Sequence, residues 1–141
     1  MPMNYFQQIL TRGRAANPFF CLMDIDIGEI TRGEAILRMP VRADMLNGED
    51  WLQGGLFTAL ADEAMVLAIY SLLLEGETLA TISETTSFMR AARDGVLVVQ
   101  GKVLKKGRRV AFAEAEVRHD SPEGPLLSRS TAAYAITRVD S

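Results

Sequence analysis

The longest apolar segment of the chain is GGLFTALADEAMVLAIYSLLL, at positions 54 to 74, and it carries two adjacent acids, Asp62 and Glu63, at its centre. The segment is long enough to span a bilayer as a helix, but two acids at its midpoint make that placement costly. A helix that is apolar on nearly all sides is normally buried within a protein core. We therefore expect a central core helix over residues 54–74 and no membrane segment.

The two acids in this helix require an explanation, because burial of an unpartnered carboxylate is strongly unfavourable. Neighbouring side chains point about 100° apart on a helix, so only one of the two acids has to face the interior. The buried acid is the first candidate for a functional residue.

Alternation of apolar and polar residues predicts strands on both sides of the central helix. The predicted strands are 23–30, 33–41, 79–92, 95–106, 108–120 and 125–139. A short amphipathic helix over residues 2–14 precedes them. Ala111, Ala113 and Ala115 share one face of a predicted strand, and small residues on a buried face let a helix lie close to a sheet. The predicted fold is α+β: one domain over residues 1–141, with an antiparallel sheet curled around one central helix.

Composition excludes several classes of function. The net charge of −3 argues against a nucleic-acid-binding protein, which would normally carry a basic excess. One cysteine cannot form an internal disulfide, and no secretory signal is evident at the start, so we expect a cytoplasmic protein. With one histidine and one cysteine, a zinc site of the usual ligand count cannot form within one chain, and no metal or cofactor is predicted.

The stretch NGEDWLQGGLFTALADEA, at positions 47 to 64, resembles the hotdog-fold acyl-CoA thioesterases, in particular the phenylacetate-degradation subgroup. Their signature has an Asn, a short gap, His-Gly-Gly, and then an Asp seven residues after the second Gly. The residues at that spacing here are Asn47, Gln53, Gly54, Gly55 and Asp62. The resemblance covers roughly residues 35–138. It implies the hotdog fold, an acyl-CoA substrate and a dimer whose sheets join edge to edge.

Gln53 departs from the signature, because the family usually has His at that position. A glutamine amide can donate a hydrogen bond but cannot carry a proton in general acid catalysis. A thiolate leaves readily without being protonated. The substitution therefore bears on rate and substrate range more than on reaction type.

A helix that begins at Gly54 would leave the N–H groups of its first turn without partners. Those groups could hold the thioester carbonyl oxygen as it becomes an oxyanion, and glycines let a ligand approach closely. The alternative is that Gly54 and Gly55 only permit tight packing at a helix start.

Asp62 is expected to act as general base or nucleophile, with a pKa raised by burial.

Helix geometry adds a constraint on this site. Gln53 and Asp62 are nine positions apart, which is about 180° around a helix and roughly 13 Å along it. If both act on one substrate, Asp62 must come from a second copy of the chain. The sequence thus predicts two equivalent sites in a two-fold homodimer, or in a dimer of dimers.

The supporting residues each have an ordinary alternative. The resemblance aligns Thr81 with a hydroxyl that helps to hold the attacking water, but an ordinary strand residue would look the same. Asn47 is expected to support the loop or the carboxylate, or only to form a turn. Arg90 and Arg108 are assigned to the phosphates of coenzyme A, although KKGRR at 105–109 is also typical of a solvated hairpin.

Three further alternatives stay open. Glu63 is expected to be solvated or paired with an arginine. A non-catalytic acyl-CoA or lipid-binding protein of the same fold is the rival to the enzyme. The acyl group is either a small aromatic one or a short-to-medium aliphatic one, because Trp51, Phe57 and Tyr70 would suit both.

Overall fold

The computed structural model describes residues 3–138 of the chain, which form one sheet and one long helix with shorter helical segments around them. The α-helices are α1 (Tyr5–Arg12), α2 (Pro18–Met23) and α3 (Gly54–Tyr70), and short 3-10 turns cover Gly13–Ala16 and Ala43–Met45. The strands are β1 (Asp26–Thr31), β2 (Glu34–Pro40), β3 (Glu77–Phe88), β4 (Val96–Lys106), β5 (Val110–His119) and β6 (Leu126–Arg138).

The sheet is antiparallel at every strand pair, and its order is β1-β2-β4-β5-β6-β3. The central helix α3 lies across one face, against β4 above all and also against β2, β5, β3 and β6. The predicted sheet curled around a central helix is confirmed. Strand β3 is at the edge, so one side of its backbone has no neighbour among residues 3–138.

A row of small residues crosses the sheet beneath α3. Ala35 pairs with Gly101, Gly101 with Ala115, and Ala115 with Ser130, on four neighbouring strands. A Cβ placed on Gly101 would lie 2.6 Å from the backbone carbonyl of Ala64 in α3. The helix therefore rests directly on the backbone of β4, and the small-residue face predicted from the alanines of β5 is confirmed.

The central helix is one turn shorter than predicted, because it ends at Tyr70 rather than at residue 74. The Ser71 hydroxyl donates to the carbonyl of Ala68 at 2.6 Å and accepts the N–H of Gly33 at 2.7 Å. These bonds fix the helix end against the β1–β2 turn. No helix within residues 3–138 has the length and apolarity needed to cross a membrane.

The N-terminal region contains two α-helices where one was predicted over residues 2–14. Asn4 begins α1 with a capping box, and Gly13, at φ 63°, ends it. Residue 2 lies outside the described residues, as does residue 139 of the last predicted strand. The second helix, α2, was missed; Asn17 caps it by accepting the N–H groups of Phe19 and Phe20, and Pro18 is its first residue.

Asn17 also ties this region to the central helix. Its side-chain amide donates to the hydroxyl of Tyr5 at 2.8 Å and to the carboxylate of Glu63 at 3.3 Å. Burial raises the pKa of Glu63 to about 7, with a further contribution from the neighbouring charge of Asp62 and an opposing one from Asn17. The expectation that Glu63 is solvated or paired with an arginine was wrong, because the N-terminal segment covers this side of α3.

The close contact at Gly101 makes a testable prediction. Gly101→Ala places a methyl group against the Ala64 backbone, and we expect the free energy of unfolding to fall by about 1–3 kcal/mol because α3 and β4 must move apart. Urea denaturation monitored by circular dichroism measures the change. The control is Gly48→Ala, since a Cβ at Gly48 meets nothing within 4 Å. Equal stabilities for the two variants would show that the helix does not rest on β4.

Candidate active site

Asp62 is half-buried in the middle of α3 and is held by two hydroxyl groups from the sheet. The Tyr134 hydroxyl donates to Oδ1 of Asp62 at 2.7 Å, and the Thr81 hydroxyl donates to the same oxygen at 3.2 Å. Oδ2 receives no hydrogen bond from residues 3–138. The carboxylate is therefore fixed through one oxygen and has the other available.

Two neighbouring strands bring these hydroxyls together. Thr81 pairs with Tyr134 across β3 and β6, and the register of β3 shifts between Thr81 and Ser83. Such an irregularity changes the direction in which the side chains of a strand point. Here it accompanies the approach of Thr81 to Asp62, whereas the role expected for Thr81, holding the attacking water, stays a prediction.

Tyr134 was not identified from the sequence, where it lies in an alternating strand without distinguishing features. It is fully buried, and a buried tyrosine hydroxyl normally has a hydrogen-bond partner. Burial raises the pKa of Tyr134, and its hydrogen bond to Asp62 raises it further. The hydroxyl therefore keeps its proton and remains a donor to Asp62.

The beginning of α3 offers unpaired backbone donors. Gln53 precedes the helix, and its side chain makes no capping hydrogen bond. The N–H groups of Gly54 and Gly55 have no acceptor among the described residues. A Cβ on Gly55 would meet nothing within 4 Å, and one on Gly54 would make ordinary contact, at 3.5 Å, with Phe88. Tight packing within the chain thus does not explain Gly55.

Two clefts flank this helix start. One, of about 370 Å³, is largely aromatic and apolar; it is lined by Asn47, Trp51, Leu52, Gly54, Phe57, Phe88, Met89, Arg90 and Ala91. The other, of about 440 Å³, includes Gln53; its remaining lining residues are Leu22, Met23, Arg42, Asp44, Met45, Leu46, Asn47 and Leu56. The guanidinium of Arg93 lies 3.6 Å from the centre of the Trp51 ring, a cation–π contact that the sequence analysis missed.

Asn47 organises the loop between these clefts. Its side-chain oxygen accepts the N–H groups of Glu49 and Trp51 at 2.9 and 3.2 Å. Asp62 of the same chain is not among its partners. These hydrogen bonds fit both a residue that supports the loop and one that only forms a turn, so a functional role for Asn47 stays a prediction.

The structure places Arg90 and Arg108 at opposite ends of the molecule. Arg90 lines the aromatic cleft at the start of α3. Arg108 lines a cleft of about 240 Å³ beyond the other end of the helix, together with Leu74, Glu77, Lys106, Arg109, Ile136 and Arg138. Glu77 binds Lys106 at 3.2 Å and Arg138 at 3.8 Å, and Arg108 and Arg109 have no ion pair within residues 3–138.

The candidate residues of one chain therefore form separate groups. Asp62 and Thr81 lie together, whereas Gln53, Gly54 and Gly55 lie at the helix start, roughly 13 Å away along the axis. One chain does not bring the acid and the helix N–H groups to one small ligand.

The sequence and fold are similar to those of known proteins. The model of the thioesterase superfamily matches residues 52–125. An inferred esterase from Archaeoglobus fulgidus is 31% identical over 113 residues, covering 79% of this chain and 71% of the relative.

Two solved structures illustrate the similarity of fold. A thioesterase from Haemophilus influenzae has a TM-score of 0.82 at 20% identity, covering 98% of this chain and 93% of the other. An inferred thioesterase from Ralstonia eutropha, a phenylacetic acid degradation-related protein, has a TM-score of 0.83 at 23% identity, covering 94% and 99%. This chain belongs to the thioesterase superfamily and has the hotdog fold that the sequence resemblance implied.

Proposed function

We propose that the protein is an acyl-CoA thioesterase in which Asp62 of one subunit and the helix start of its partner act on the same thioester. This proposal rests on the hydrogen bonding of the Asp62 carboxylate. One carboxylate oxygen is held by Tyr134 and Thr81, and the other is available to accept a proton. Family membership supplies the reaction class, hydrolysis of a thioester.

In the general-base route, Oδ2 of Asp62 takes a proton from water, and the resulting hydroxide attacks the carbonyl carbon. The N–H groups at Gly54 and Gly55 of the partner subunit hold the oxyanion. The carbon–sulfur bond then breaks, and the thiolate can take the proton from Asp62. In the nucleophilic route, the carboxylate attacks the carbonyl directly, the carbon–sulfur bond breaks and the thiolate leaves, and water then hydrolyses the anhydride to release the acid and restore the carboxylate. Tyr134 and Thr81 orient the carboxylate in either route.

The free edge of β3 supports the dimer. Ile82, Phe88 and Met89 are at least half exposed along or just beyond this strand, although they are large and apolar. A two-fold axis at the edge would cover them and would pair β3 with its copy in the antiparallel sense. Edge-to-edge pairing thus satisfies the open backbone groups of the strand as well.

The contacts between α3 and β3 indicate where that axis would lie. Thr58 donates to Thr86 at 2.9 Å, and Tyr70 contacts Thr78 at 2.9 Å, so helix and strand run in opposite directions along each other. Thr58 is midway between the helix start and Asp62. For the start of one helix to reach Asp62 of the other, the axis must pass near Thr58 and Thr86.

The same placement distributes the basic residues around one substrate. With the axis near Thr86, position 90, two residues beyond the end of one β3, would lie opposite position 82 of the other. Arg90 of the partner subunit would then come close to Thr81. The cleft of Arg108 begins at Glu77, four strand residues or roughly 13 Å from Thr81. The long arm of coenzyme A can span that gap and deliver its phosphates to Arg108 and Arg109.

Removing the charge of Asp62 tests the proposal. Asp62→Asn keeps the shape of the side chain but cannot accept a proton, so we expect kcat/KM to fall by about 10²–10⁴-fold. The assay follows release of coenzyme A with a thiol reagent, using both aromatic and aliphatic acyl-CoA thioesters.

Glu63→Gln is the matched control, because it neutralises the adjacent acid on the same helix; its kcat/KM should stay close to that of the wild type. Equal activity of wild type and Asp62→Asn on every substrate would remove Asp62 from the mechanism. Tight binding of acyl-CoA without hydrolysis by the wild type would instead favour the non-catalytic acyl-CoA-binding alternative.

The role of the helix start is tested separately by Gly55→Ala. A methyl group there meets open space within the chain, so the free energy of unfolding should not fall and can rise by up to about 1 kcal/mol. The methyl group occupies the space in which the thioester approaches the backbone, and we expect kcat/KM to fall by about tenfold or more. Unchanged activity with unchanged stability would contradict a ligand at Gly55.

A further inference from the structure

A second carboxyl group, that of Glu84 on β3, faces Asp62 across the helix–sheet contact. The Thr58–Thr86 hydrogen bond fixes the alignment of α3 and β3. Four residues along α3 from Thr58, about 6 Å, is Asp62; two residues along β3 from Thr86, about 7 Å in the same direction, is Glu84. The two acids thus occupy matching positions on facing elements.

One carboxyl oxygen of Glu84 is buried without a partner. Its Oε2 atom is fully buried and has no hydrogen-bond partner among residues 3–138. None of the ion pairs within those residues includes Glu84. A buried ionised carboxylate without a partner is strongly unfavourable. These surroundings therefore favour the protonated form of Glu84.

The groups around Glu84 come from three elements. Asp62 belongs to α3, Ser130 and Tyr134 belong to β6, and Thr86 belongs to β3 itself. Burial raises the pKa of Glu84 to about 7; the charge of Asp62 adds to the shift and Ser130 opposes it. Burial raises the pKa of Tyr134 above its usual value, and the charges of Asp62 and Glu84 raise it further.

We propose that Glu84 is a positioning residue for Asp62, holding a proton in the working enzyme so that the pair carries a single negative charge. This inference rests on the proposed function. Asp62 is then the charged member, steadied by Tyr134 and Thr81, and Glu84 is the neutral one. Two carboxyl groups that share a site commonly divide in this way.

The proposal has a consequence for pH dependence. Below its folded-state pKa of about 7, Glu84 is neutral, and the oxyanion forms near one negative charge. As the pH rises through about 7, Glu84 loses its proton, and a second negative charge opposes the oxyanion and the substrate phosphates. We therefore expect kcat/KM to fall above about pH 7 in the wild type.

Glu84→Gln tests this consequence, because glutamine has nearly the same shape and stays neutral. The variant should retain the wild-type kcat/KM below pH 7. Above pH 7, its kcat/KM should not fall as that of the wild type does. Glu75→Gln, which neutralises an exposed glutamate before β3, should keep the wild-type profile. A Glu84→Gln profile identical to that of the wild type, or a large loss of activity at every pH in a folded variant, would overturn the proposal.

A measurement without turnover separates this inference from the proposed function. Carbon-13 NMR of labelled glutamate carboxyl groups, assigned with Glu84→Gln, should show Glu84 titrating near pH 7 in the wild type and at lower pH in Asp62→Asn. If Glu84 titrates at the same pH in the wild type and in Asp62→Asn, the two carboxyl groups are not coupled and the proposal is overturned. If the wild type hydrolyses no thioester, the proposed function fails, and the catalytic part of this inference fails with it. If hydrolysis requires Asp62 but the Glu84 titration is ordinary, only this inference fails.

Discussion

The contact of α3 with the backbone of β4 determines much of the remaining structure. Because Gly101 has no side chain, Ala64 and the sheet meet directly. The row of small residues from Ala35 to Ser130 lets the helix pack close to the sheet. Asp62, two residues before Ala64, is thereby brought within hydrogen-bond distance of Tyr134. A bulkier row would hold the helix away from the sheet and leave the carboxylate without its donors.

Three acids lie near this contact, and each is accommodated differently. Asp62 is satisfied by hydroxyl groups from two strands. Glu63 meets the amide of Asn17, which also caps α2 and so links the N-terminal segment to the helix. Glu84 has a buried oxygen without a partner. Burial raises the pKa values of Glu63 and Glu84 to about 7, and the neighbouring charge of Asp62 adds to both shifts.

The sequence was sufficient for features that depend on local pattern. The apolar helix, the alternating strands and the alanine face of β5 all follow from the spacing of residues in the sequence. Tyr134 and Glu84 were missed because their importance depends on which strands become neighbours, and β6 joins β3 across a long separation in sequence. Asn17 was missed because its role comes from a helix cap and a distant contact at once. Arg90 and Arg108 looked alike as basic residues, and only the fold places them at opposite ends.

The central claim is that each reaction centre combines Asp62 of one subunit with the helix start of the other. Mixing two impaired variants after dissociation and reassociation tests it directly: Asp62→Asn, and Gly55→Val, whose side chain should block the helix start more fully than that of Gly55→Ala. In a mixed dimer, the intact Asp62 of one chain meets the intact helix start of the other, so one of two sites is restored, and an equal mixture should recover about a quarter of wild-type activity. A mixture no more active than the separate variants would contradict a shared site.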